Sequence, residues 1–177
     1  DSKMISKWGI NNNFKELVIK PVVSAGAHLT YRVPLEDLTE AISAYRDHPN
    51  RPIMIQPFLP EIMQEGEWSF LYFGGELSHV VRKTPKAGDY RIQHVHGGSY
   101  RREEPSAALS AAAQKVMQAL PEQPLYARVD GIVKDGQFLL MEVELIEPYF
   151  YLDAAPEQGA LFAQKIAGTM RHQQKAA

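Results

Sequence analysis

The stretch ARVDGIVKDGQFLLMEVEL, residues 127–145, alternates apolar and charged residues on both sides of an Asp-Gly pair. Its odd-numbered positions include the apolar residues Val129, Val133, Leu139, Met141, Val143 and Leu145. Its even-numbered positions include the charged residues Arg128, Asp130, Glu142 and Glu144. Because successive side chains of a strand point to opposite faces, this pattern predicts a β-hairpin with one core face and one charged face.

The turn of this hairpin determines which residues face each other. A two-residue turn at Asp135-Gly136 would pair odd with even positions and place the two apolar sets on opposite faces. A three-residue turn over 134–136, with Gly136 in a bulge, avoids this conflict, so we predict that turn. The register that follows gives these cross-strand neighbours: Arg128 with Glu142, Asp130 with Leu140, and Asp130 diagonal to Glu142.

The charged face of the predicted hairpin needs a cation. Glu142 and Glu144 lie two residues apart, and carboxylates ~5 Å apart repel by roughly 3 kcal/mol at an effective dielectric constant of about 20. With Asp130 they form an all-oxygen ligand set that favours Mg²⁺ or Mn²⁺ over zinc. Since Mg²⁺ commonly joins carboxylates to phosphates, the companion ligand is expected to be a nucleotide. The alternative is an exposed, solvated face with a cross-strand ion pair between Arg128 and Glu142.

The composition narrows the class of protein. The chain has 177 residues, 45% hydrophobic and 23% charged, which suits one compact domain or two lobes. Its formal net charge of -2 gives no general electrostatic case for binding nucleic acid or an anionic membrane. It has no cysteine, which excludes disulfides and thiolate metal sites, and we expect a cytoplasmic location. No apolar run reaches the ~20 residues of a membrane span, and the start DSKMISKWGI does not resemble a signal peptide.

Periodicity and turn signals predict an α+β chain. Helices are expected over residues 34–48, 106–120 and 156–174. Strands are expected over 16–20 and 52–59, in hairpins over 67–83 and 125–146, and in a polar strand that begins at 89. The order of helices and antiparallel strands, without repeats or a long linker, is typical of the α+β class.

Basic residues elsewhere in the chain are candidates for binding phosphate. Lys20 ends a strand and precedes a loop of small residues that includes Ser24, Ala25 and Gly26, where backbone N–H groups can approach an anion. The alternative is an ordinary loop beside a surface lysine.

Two arginines of the middle strands are further candidates. Arg82 and Arg91 are expected on successive strands, where they could join Arg128 in neutralising a transferred phosphoryl group. The alternative is that they are solvated side chains at a sheet edge. His94 and His96 share a strand face and suggest zinc as another hypothesis, but no third ligand stands at motif spacing.

Four segments in this order resemble the ATP-grasp superfamily, in particular ligases similar to glutathione synthetase and to the cycloserine-forming ATP-grasp enzymes. The segments are ELVIKPVVSAGAHLTYRV, IMIQPFLPEIMQEGEWSFLYFGGELSHVVRKTPKAGDYRIQ, HGGSYRREEP and YARVDGIVKDGQFLLMEVELIEPYFYLD, which cover most of residues 16–153. The resemblance implies an α+β ATP-grasp fold of antiparallel sheets flanked by helices. It assigns residues 1–60 to the remainder of the nucleotide-binding lobe, with the phosphate loop and hinge. Residues 61–177 become the C-terminal lobe with the metal site.

The resemblance also implies a role for each candidate residue. ATP is expected between the two lobes, with Lys20 on its phosphates. The hinge whose backbone reads adenine would be Gln56, Pro57, Phe58 and Leu59. Asp130, Glu142 and Glu144 match positions that ligate two magnesium ions, although Glu144 stands where many relatives have asparagine. Arg82, Arg91 and Arg128 match basic positions near the γ-phosphate and the acid substrate.

The implied reaction turns a carboxylate into an acyl phosphate, which an amine attacks to give an amide or peptide bond. Its cofactors would be ATP and Mg²⁺, with Mn²⁺ as the alternative metal, and its partners a small-molecule acid and amine. No nucleic acid or membrane partner is expected, and a homodimer is left open. Lys20 lies so near the start that the domain preceding the ATP-grasp part is expected to lie outside this chain. A second hypothesis is therefore a nucleotide-binding module, or a C-terminal fragment of a ligase, without activity of its own.

Overall fold

The computed structural model describes residues 2–23, 26–45, 52–92 and 97–176. The chain divides into two compact units, Asp1–Pro60 and Glu61–Ala177. Each unit has an antiparallel sheet and its own apolar core. Within the described residues, no helix is both long and apolar enough to cross a membrane.

The first unit is built on a three-stranded sheet with β1 in the centre. Its elements are α1 (Ser2–Asn11), β1 (Glu16–Pro21), β2 (Tyr31–Pro34), a 3₁₀ turn (Leu35–Asp37), α2 (Leu38–Ser43) and β3 (Ile53–Pro57). Leu17 and Ile19 of β1 are fully buried against residues of the helical segment, among them Leu38 and Tyr45. The sequence did not predict α1 or β2, and the helix predicted over 34–48 is split into the 3₁₀ turn and a short α2 within its described part.

The second unit carries a five-stranded antiparallel sheet in the order β6-β5-β4-β7-β8. Its elements are α3 (Glu61–Gln64), β4 (Glu67–Phe73), β5 (Glu76–Thr84), β6 (Ser99–Arg102), α4 (Ala107–Gln118), β7 (Tyr126–Lys134), β8 (Gln137–Glu144) and α5 (Gln158–Ala176). Every residue of β4 is buried, because it is the central strand and both of its faces are covered. The polar strand predicted from residue 89 is wrong, since residues 89–92 form no strand.

One face of this sheet is the apolar core of the second unit. Phe70 and Tyr72 of β4 and Val129 of β7 are fully buried there against Ala113 and Met117 of α4. α4 forms where an alanine-rich sequence has high helix propensity, and the Ser106 hydroxyl caps it by accepting the Leu109 N–H at 3.3 Å. Burial raises the pKa of the Tyr72 hydroxyl to about 12.

The β7–β8 hairpin has a two-residue turn, so the predicted three-residue turn is wrong. Lys134 pairs with Gln137, and the two residues between them, Asp135 and Gly136, have φ of 51° and 74°. Positive φ at both positions is the signature of the type I′ turn that Asp-Gly favours, because its twist matches that of the flanking strands. The extra residue is Met141, which forms a bulge farther along β8.

This bulge shifts the pairing of the charged residues by one residue relative to the pairs next to the turn. Arg128 lies opposite Glu144 and Asp130 opposite Glu142, so the predicted pairs of Arg128 with Glu142 and of Asp130 with Leu140 are wrong. The parity argument nevertheless applies beyond the bulge, where Val129 pairs with Val143 on the core face.

Between the turn and the bulge, the side chains of β8 point to the opposite faces from those that the sequence predicted. Phe138 packs in the core and lies opposite Val133, whereas Leu139, which the sequence placed in the core, is 41% exposed. The Phe138 ring also covers Gly131, where a Cβ would lie 2.3 Å from the ring edge. A residue without a side chain is therefore required at Gly131.

Candidate functional site

The charged residues of the site lie on the face of the second sheet that points away from α4. Antiparallel pairing places them in adjacent rows: Lys83 beside Glu67, then Ser69 beside Asp130 and Glu142, then Arg128 beside Glu144. All of them share one face because they occupy alternate positions of their strands. The site is thus assembled from four strands, β5, β4, β7 and β8, that are neighbours in the sheet.

Asp130 is the centre of this network and is 2% exposed. Its Oδ1 accepts the Ser69 hydroxyl at 2.6 Å, and its Oδ2 accepts the Lys83 ammonium at 3.2 Å. The Arg128 Nε–H lies 3.0 Å from each of the two oxygens. Both oxygens therefore already bind at least two protein donors.

Arg128 joins Asp130 to the second hairpin strand. Its Nη2 lies 2.9 Å from Asp130 Oδ2 and 2.7 Å from Glu144 Oε1. Its Nη1 donates to the Tyr149 carbonyl at 3.4 Å, and the Tyr151 ring centroid lies 5.9 Å from the guanidinium carbon. Arg128 therefore supplies, next to Glu144, part of the positive charge that the repulsion between Glu142 and Glu144 requires.

Lys83 and Glu67 complete the buried part of the network, and the sequence missed both. Their side chains form an ion pair and are 6% and 9% exposed. The signal for a buried cation was the pair Arg82 and Lys83. Because two adjacent strand residues point to opposite faces, one of these two cations had to face the site. Which of the two faces the site depends on the pairing of β5 with β4, which the sequence did not reveal.

The pKa values in the network reflect two opposing effects, the burial of each group and the charges of its neighbours. Burial alone would lower the pKa of Lys83, but Glu67 and Asp130 raise it above the ordinary value. Burial opposes ionisation of Asp130 as well, yet Lys83 and Arg128 lower its pKa. Burial raises the pKa of Glu67 and of Glu144, despite their partners Lys83 and Arg128. The charges of Lys83 and Asp130 are thus maintained by opposite charges in direct contact, whereas burial outweighs the effect of Lys83 on Glu67.

The formal charges divide the site into a neutral interior and an acidic margin. Glu67 and Asp130 are balanced by Lys83 and Arg128, and all four are buried. Glu142 is exposed and Glu144 is half-buried. The two outer glutamates leave this face with a formal charge of two negative units, which a divalent cation would balance.

The donor set fits magnesium in chemistry, with one difference from the predicted triad. Carboxylate oxygens on one face are the ligands that Mg²⁺ prefers. Among the described residues, however, no three or more His, Asp or Glu side chains converge as a ready metal cluster. Asp130 binds protein cations with both oxygens, whereas Glu142 is exposed and Glu144 is half-buried with Oε1 on Arg128. Glu142 and Glu144 are therefore the carboxylates best placed to hold an ion.

The predicted arginine cluster does not form as expected. Arg82 lies on the opposite face of the sheet, where it pairs with Glu103 at 2.8 Å and lies 5.4 Å from the Trp68 ring centroid. Arg91 lies outside the strands and pairs with Asp89 at 2.8 Å. The Arg91 side chain and the neighbouring backbone N–H groups lower the pKa of Asp89 well below its usual range. Of the three predicted arginines, Arg128 alone is placed beside the carboxylates.

The predicted nucleotide residues of the first unit lie on β1, β3 and the segments that follow them. Lys20 is half-buried near the end of β1, opposite Met54. Gly26 has φ of 61° in an exposed turn with open space around its Cα, while Ser24 and Ala25 lie outside the described residues. A loop that tolerates positive φ and has room above its backbone fits the expected anion loop.

The predicted hinge continues from the end of β3. Gln56 pairs with Val18, Pro57 ends the strand, and Leu59 is half-buried beyond it. The Phe58 N–H donates to the Glu16 carbonyl at 3.0 Å, so this backbone donor is hydrogen-bonded within the protein. The Arg32 guanidinium lies 3.8 Å above the Phe58 ring, which fixes the hinge side chain.

The zinc hypothesis depended on two histidines that lie outside the described residues. His94 and His96 fall in the segment 93–96. Zinc is therefore still an untested alternative.

A segment after β8, also missed by the sequence, closes one side of the charged face. Glu147 and Tyr151 have φ of 50° and 52°, values that are uncommon outside glycine and that occur often at functional sites. The His79 Nε2–H donates to the Phe150 carbonyl at 2.7 Å. Tyr151 is buried beside Arg128, whereas Tyr149 is 58% exposed. The segment is thus docked on β5 and β7, with Phe150 and Tyr151 packed inward and Tyr149 exposed.

Two antiparallel sheets flanked by helices, one with a carboxylate- and arginine-bearing face, define an ATP-grasp domain. Residues 2–149 match the family model described as prokaryotic glutathione synthetase, ATP-grasp domain, and the chain belongs to this family. The resemblance expected from the sequence and the α+β ATP-grasp fold are thereby confirmed.

Curated relatives agree with this membership. The chain is 34% identical over 161 residues to a glutathione synthetase of Prochlorococcus marinus, covering 86% of this chain and 49% of the relative. It is 27% identical over 127 residues to the cycloserine biosynthesis protein DcsG of Streptomyces lavendulae, covering 67% of this chain and 42% of the relative. The chain therefore spans about half the length of the curated relatives it matches.

Solved structures show the same fold. The crystal structure of the D-cycloserine synthetase DcsG superposes with a TM-score of 0.82 at 19% identity, covering 95% of this chain and 60% of that one. The D-alanine–D-alanine ligase of Bacillus anthracis gives a TM-score of 0.69 at 20% identity, covering 100% of this chain and 60% of that one. At these identities the likeness establishes the fold alone.

Proposed function

We propose that this chain is the ATP-grasp portion of an ATP- and Mg²⁺-dependent ligase that joins a carboxylate to an amine through an acyl phosphate. One observation carries the proposal: a buried, neutral network fixes Arg128 beside two outward glutamates whose charge a divalent cation would balance. Membership of the glutathione synthetase family and the ATP-grasp fold support it.

The proposed chemistry requires two anions to react. A substrate carboxylate oxygen attacks the γ-phosphorus of ATP while the bond to the ADP oxygen breaks, and an amine then displaces phosphate from the acyl carbon. Positive charge must screen this approach. A magnesium ion held by Glu142 and Glu144 would supply charge neutralisation and orientation of the phosphates.

Arg128 is the side chain that this chain contributes to the reacting phosphoryl group. Three of its nitrogens are engaged by Asp130, Glu144 and the Tyr149 carbonyl, so the guanidinium is held in one orientation. A preorganised cation stabilises developing charge without the cost of reorienting during the reaction. Its raised pKa, which the neighbouring carboxylates maintain against burial, keeps it charged at neutral pH.

The remaining contacts of the proposal come from residues with fitting chemistry. Lys20 and the Gly26 loop are proposed for the phosphates, and residues 56–59 for adenine. Arg91 is retained as a residue for the acid substrate, whereas Arg82 is left out because it lies on the other face of the sheet. A small-molecule acid and amine are the proposed partners. A cytoplasmic location and a homodimer stay predictions.

A second candidate function is nucleotide binding without catalysis. One observation favours it: Asp130 already binds protein cations with both oxygens. A ligand triad in which one member is occupied would bind metal more weakly than three free carboxylates.

Calorimetric titration separates the two candidates. The purified chain is titrated with a non-hydrolysable ATP analogue in the presence and absence of Mg²⁺, and ADP release is then assayed with panels of acids and amines. We expect Mg²⁺-dependent binding and ADP release that requires both an acid and an amine. Binding without acid-dependent release would favour the non-catalytic module, and absence of binding would contradict both.

A further inference from the structure

Lys83 is a buried cation that the proposed chemistry does not use. Its side chain is 6% exposed and contacts two carboxylates, Glu67 on β4 and Asp130 on β7. It therefore spans the central strand from one side of the network to the other. A lysine with both partners inside the protein is not arranged to meet a ligand directly.

We propose that Lys83 is a positioning residue that holds Asp130 in the rotamer in which Asp130 fixes Arg128. The consequence for catalysis rests on the proposed function, but the positioning itself is a property of the folded chain. Lys83 acts through Asp130 and does not touch the reacting groups.

The geometry at Asp130 supports this role. Ser69 holds Oδ1 at 2.6 Å and Lys83 holds Oδ2 at 3.2 Å, so one donor on each oxygen sets the plane of the carboxylate. In that plane both oxygens lie 3.0 Å from the Arg128 Nε–H. Without Lys83, Oδ2 would keep its contacts with Arg128 but lose its second cation, so rotation about the Cβ–Cγ bond would be less restricted and the orientation of Arg128 less firmly fixed.

Charge balance explains why Glu67 accompanies Lys83. Asp130 is already balanced by Arg128, so a buried lysine added alone would leave one uncompensated positive charge. Glu67 supplies the missing negative charge and is itself buried. Removing Lys83 alone leaves Glu67 as a buried carboxylate without its cation, which is destabilising, whereas removing both charges together is tolerated far better.

The test uses three variants of the full chain, together with Arg128→Lys as a fourth for assigning the NMR signal. Lys83→Met removes the positioning cation, and the double variant Glu67→Gln/Lys83→Met removes it without leaving an unpaired carboxylate. Arg82→Met is the matched control, because it deletes a cation at the adjacent position of the same strand but on the opposite face. Thermal unfolding of each variant establishes that it is folded.

The readout is the Arg128 Nε–H signal in ¹H–¹⁵N NMR spectra, assigned by its disappearance in Arg128→Lys. In the folded double variant we expect solvent exchange of this proton to accelerate by about tenfold or more, the factor expected for loss of one charged hydrogen bond. Arg82→Met is expected to leave the exchange rate unchanged. A double variant that is folded and exchanges at the wild-type rate would overturn the proposal.

Titration with the ATP analogue and Mg²⁺ is performed on the same samples. Weaker binding by the folded double variant than by Arg82→Met would connect the positioning role to the proposed function. If the wild-type chain binds no nucleotide, the proposed function fails, while the NMR result still decides the role of Lys83. The two failures are therefore distinguishable.

Discussion

At the scale of single residues, the site separates charges that stabilise the fold from charges available to a ligand. Lys83, Arg128, Glu67 and Asp130 form a buried and formally neutral group. Glu142 is exposed opposite Asp130 on the neighbouring strand. Burying an unpaired charge costs far more than burying a paired one, which explains why the excess negative charge lies at the margin.

Replacing the exposed glutamate tests this division. In Glu142→Gln we expect unchanged or slightly higher thermal stability without ligand, because repulsion from Asp130 and Glu144 is relieved. We expect Mg²⁺-dependent affinity for the ATP analogue to fall by about tenfold, as for loss of one ligand or charged contact. Differential scanning fluorimetry and calorimetry measure the two effects, with the exposed Glu122→Gln as control. A large loss of stability without ligand would instead indicate a structural role for Glu142.

At the scale of elements, the β7–β8 hairpin is controlled by two local devices. The Asp135-Gly136 turn starts the pairing in one parity, and the bulge at Met141 changes it before the charged residues are reached. Phe138 covers Gly131 between these two points. The hairpin therefore presents Val143 to the core and Glu142 to the site only because the bulge is present.

Adding a methyl group at Gly131 tests the packing of the hairpin. Gly131→Ala would place its Cβ 2.3 Å from the Phe138 ring and 2.7 Å from the Leu139 carbonyl oxygen. We expect a loss of about 1–3 kcal/mol in the free energy of unfolding, measured by urea titration, as is usual for overpacking. Gly168→Ala is the control, since its Cβ would meet open space on α5 and alanine favours helix. Equal stability of the two variants would contradict the close approach.

The contact between β5 and the segment after β8 includes a buried titratable side chain, His79. His79 is 4% exposed, and burial lowers its pKa, although the bond to the Phe150 carbonyl and the charge of Glu157 oppose this and Arg102 adds to it. The unfolded chain binds a proton at this position below about pH 6.5, whereas the folded chain does so only at lower pH. The free energy of unfolding therefore falls as the pH drops through that value.

Replacement of His79 should remove this part of the pH dependence. We expect the wild-type melting temperature to fall between pH 7.5 and pH 5.5, as measured by circular dichroism, by more than that of His79→Gln. Identical slopes for His79→Gln and the wild type would show that His79 is not the titrating group.

At the scale of the whole molecule, the two units differ in how completely each can form a core. Residues 61–177 include a five-stranded sheet, a buried apolar cluster and the entire charged network. Residues 1–60 have a three-stranded sheet and a smaller cluster. A unit of about 60 residues buries a smaller share of its surface and is correspondingly less stable.

Dissection of the chain follows from this difference. We expect residues 61–177, expressed alone, to unfold cooperatively in urea and to give a dispersed ¹H–¹⁵N spectrum, because their core is contained within the unit. In the same spectrum the Arg128 Nε–H should retain slow exchange. A molten spectrum from this fragment would mean that the first unit is needed to complete its core.

Much of the fold was predictable from local patterns. Alternation in residues 127–145 predicted the hairpin, its mixed faces and the gathering of acidic residues, because side-chain direction in a strand depends only on parity. Helix propensity and apolar periodicity marked α4. The split helix after Pro34 was not predictable, because α2 gains its stability from packing on β1 and not from its own sequence.

The sequence alone determined the family, the hairpin and the chemical type of the site, since these depend on residue identity and short-range order. The tertiary structure determined which charges meet: the bulge at Met141 paired Arg128 with Glu144, and the register of β5 on β4 chose Lys83 over Arg82. Strand register is a long-range property set by bulges and by packing in the core, so a shift of one residue reverses every face while leaving the local pattern intact.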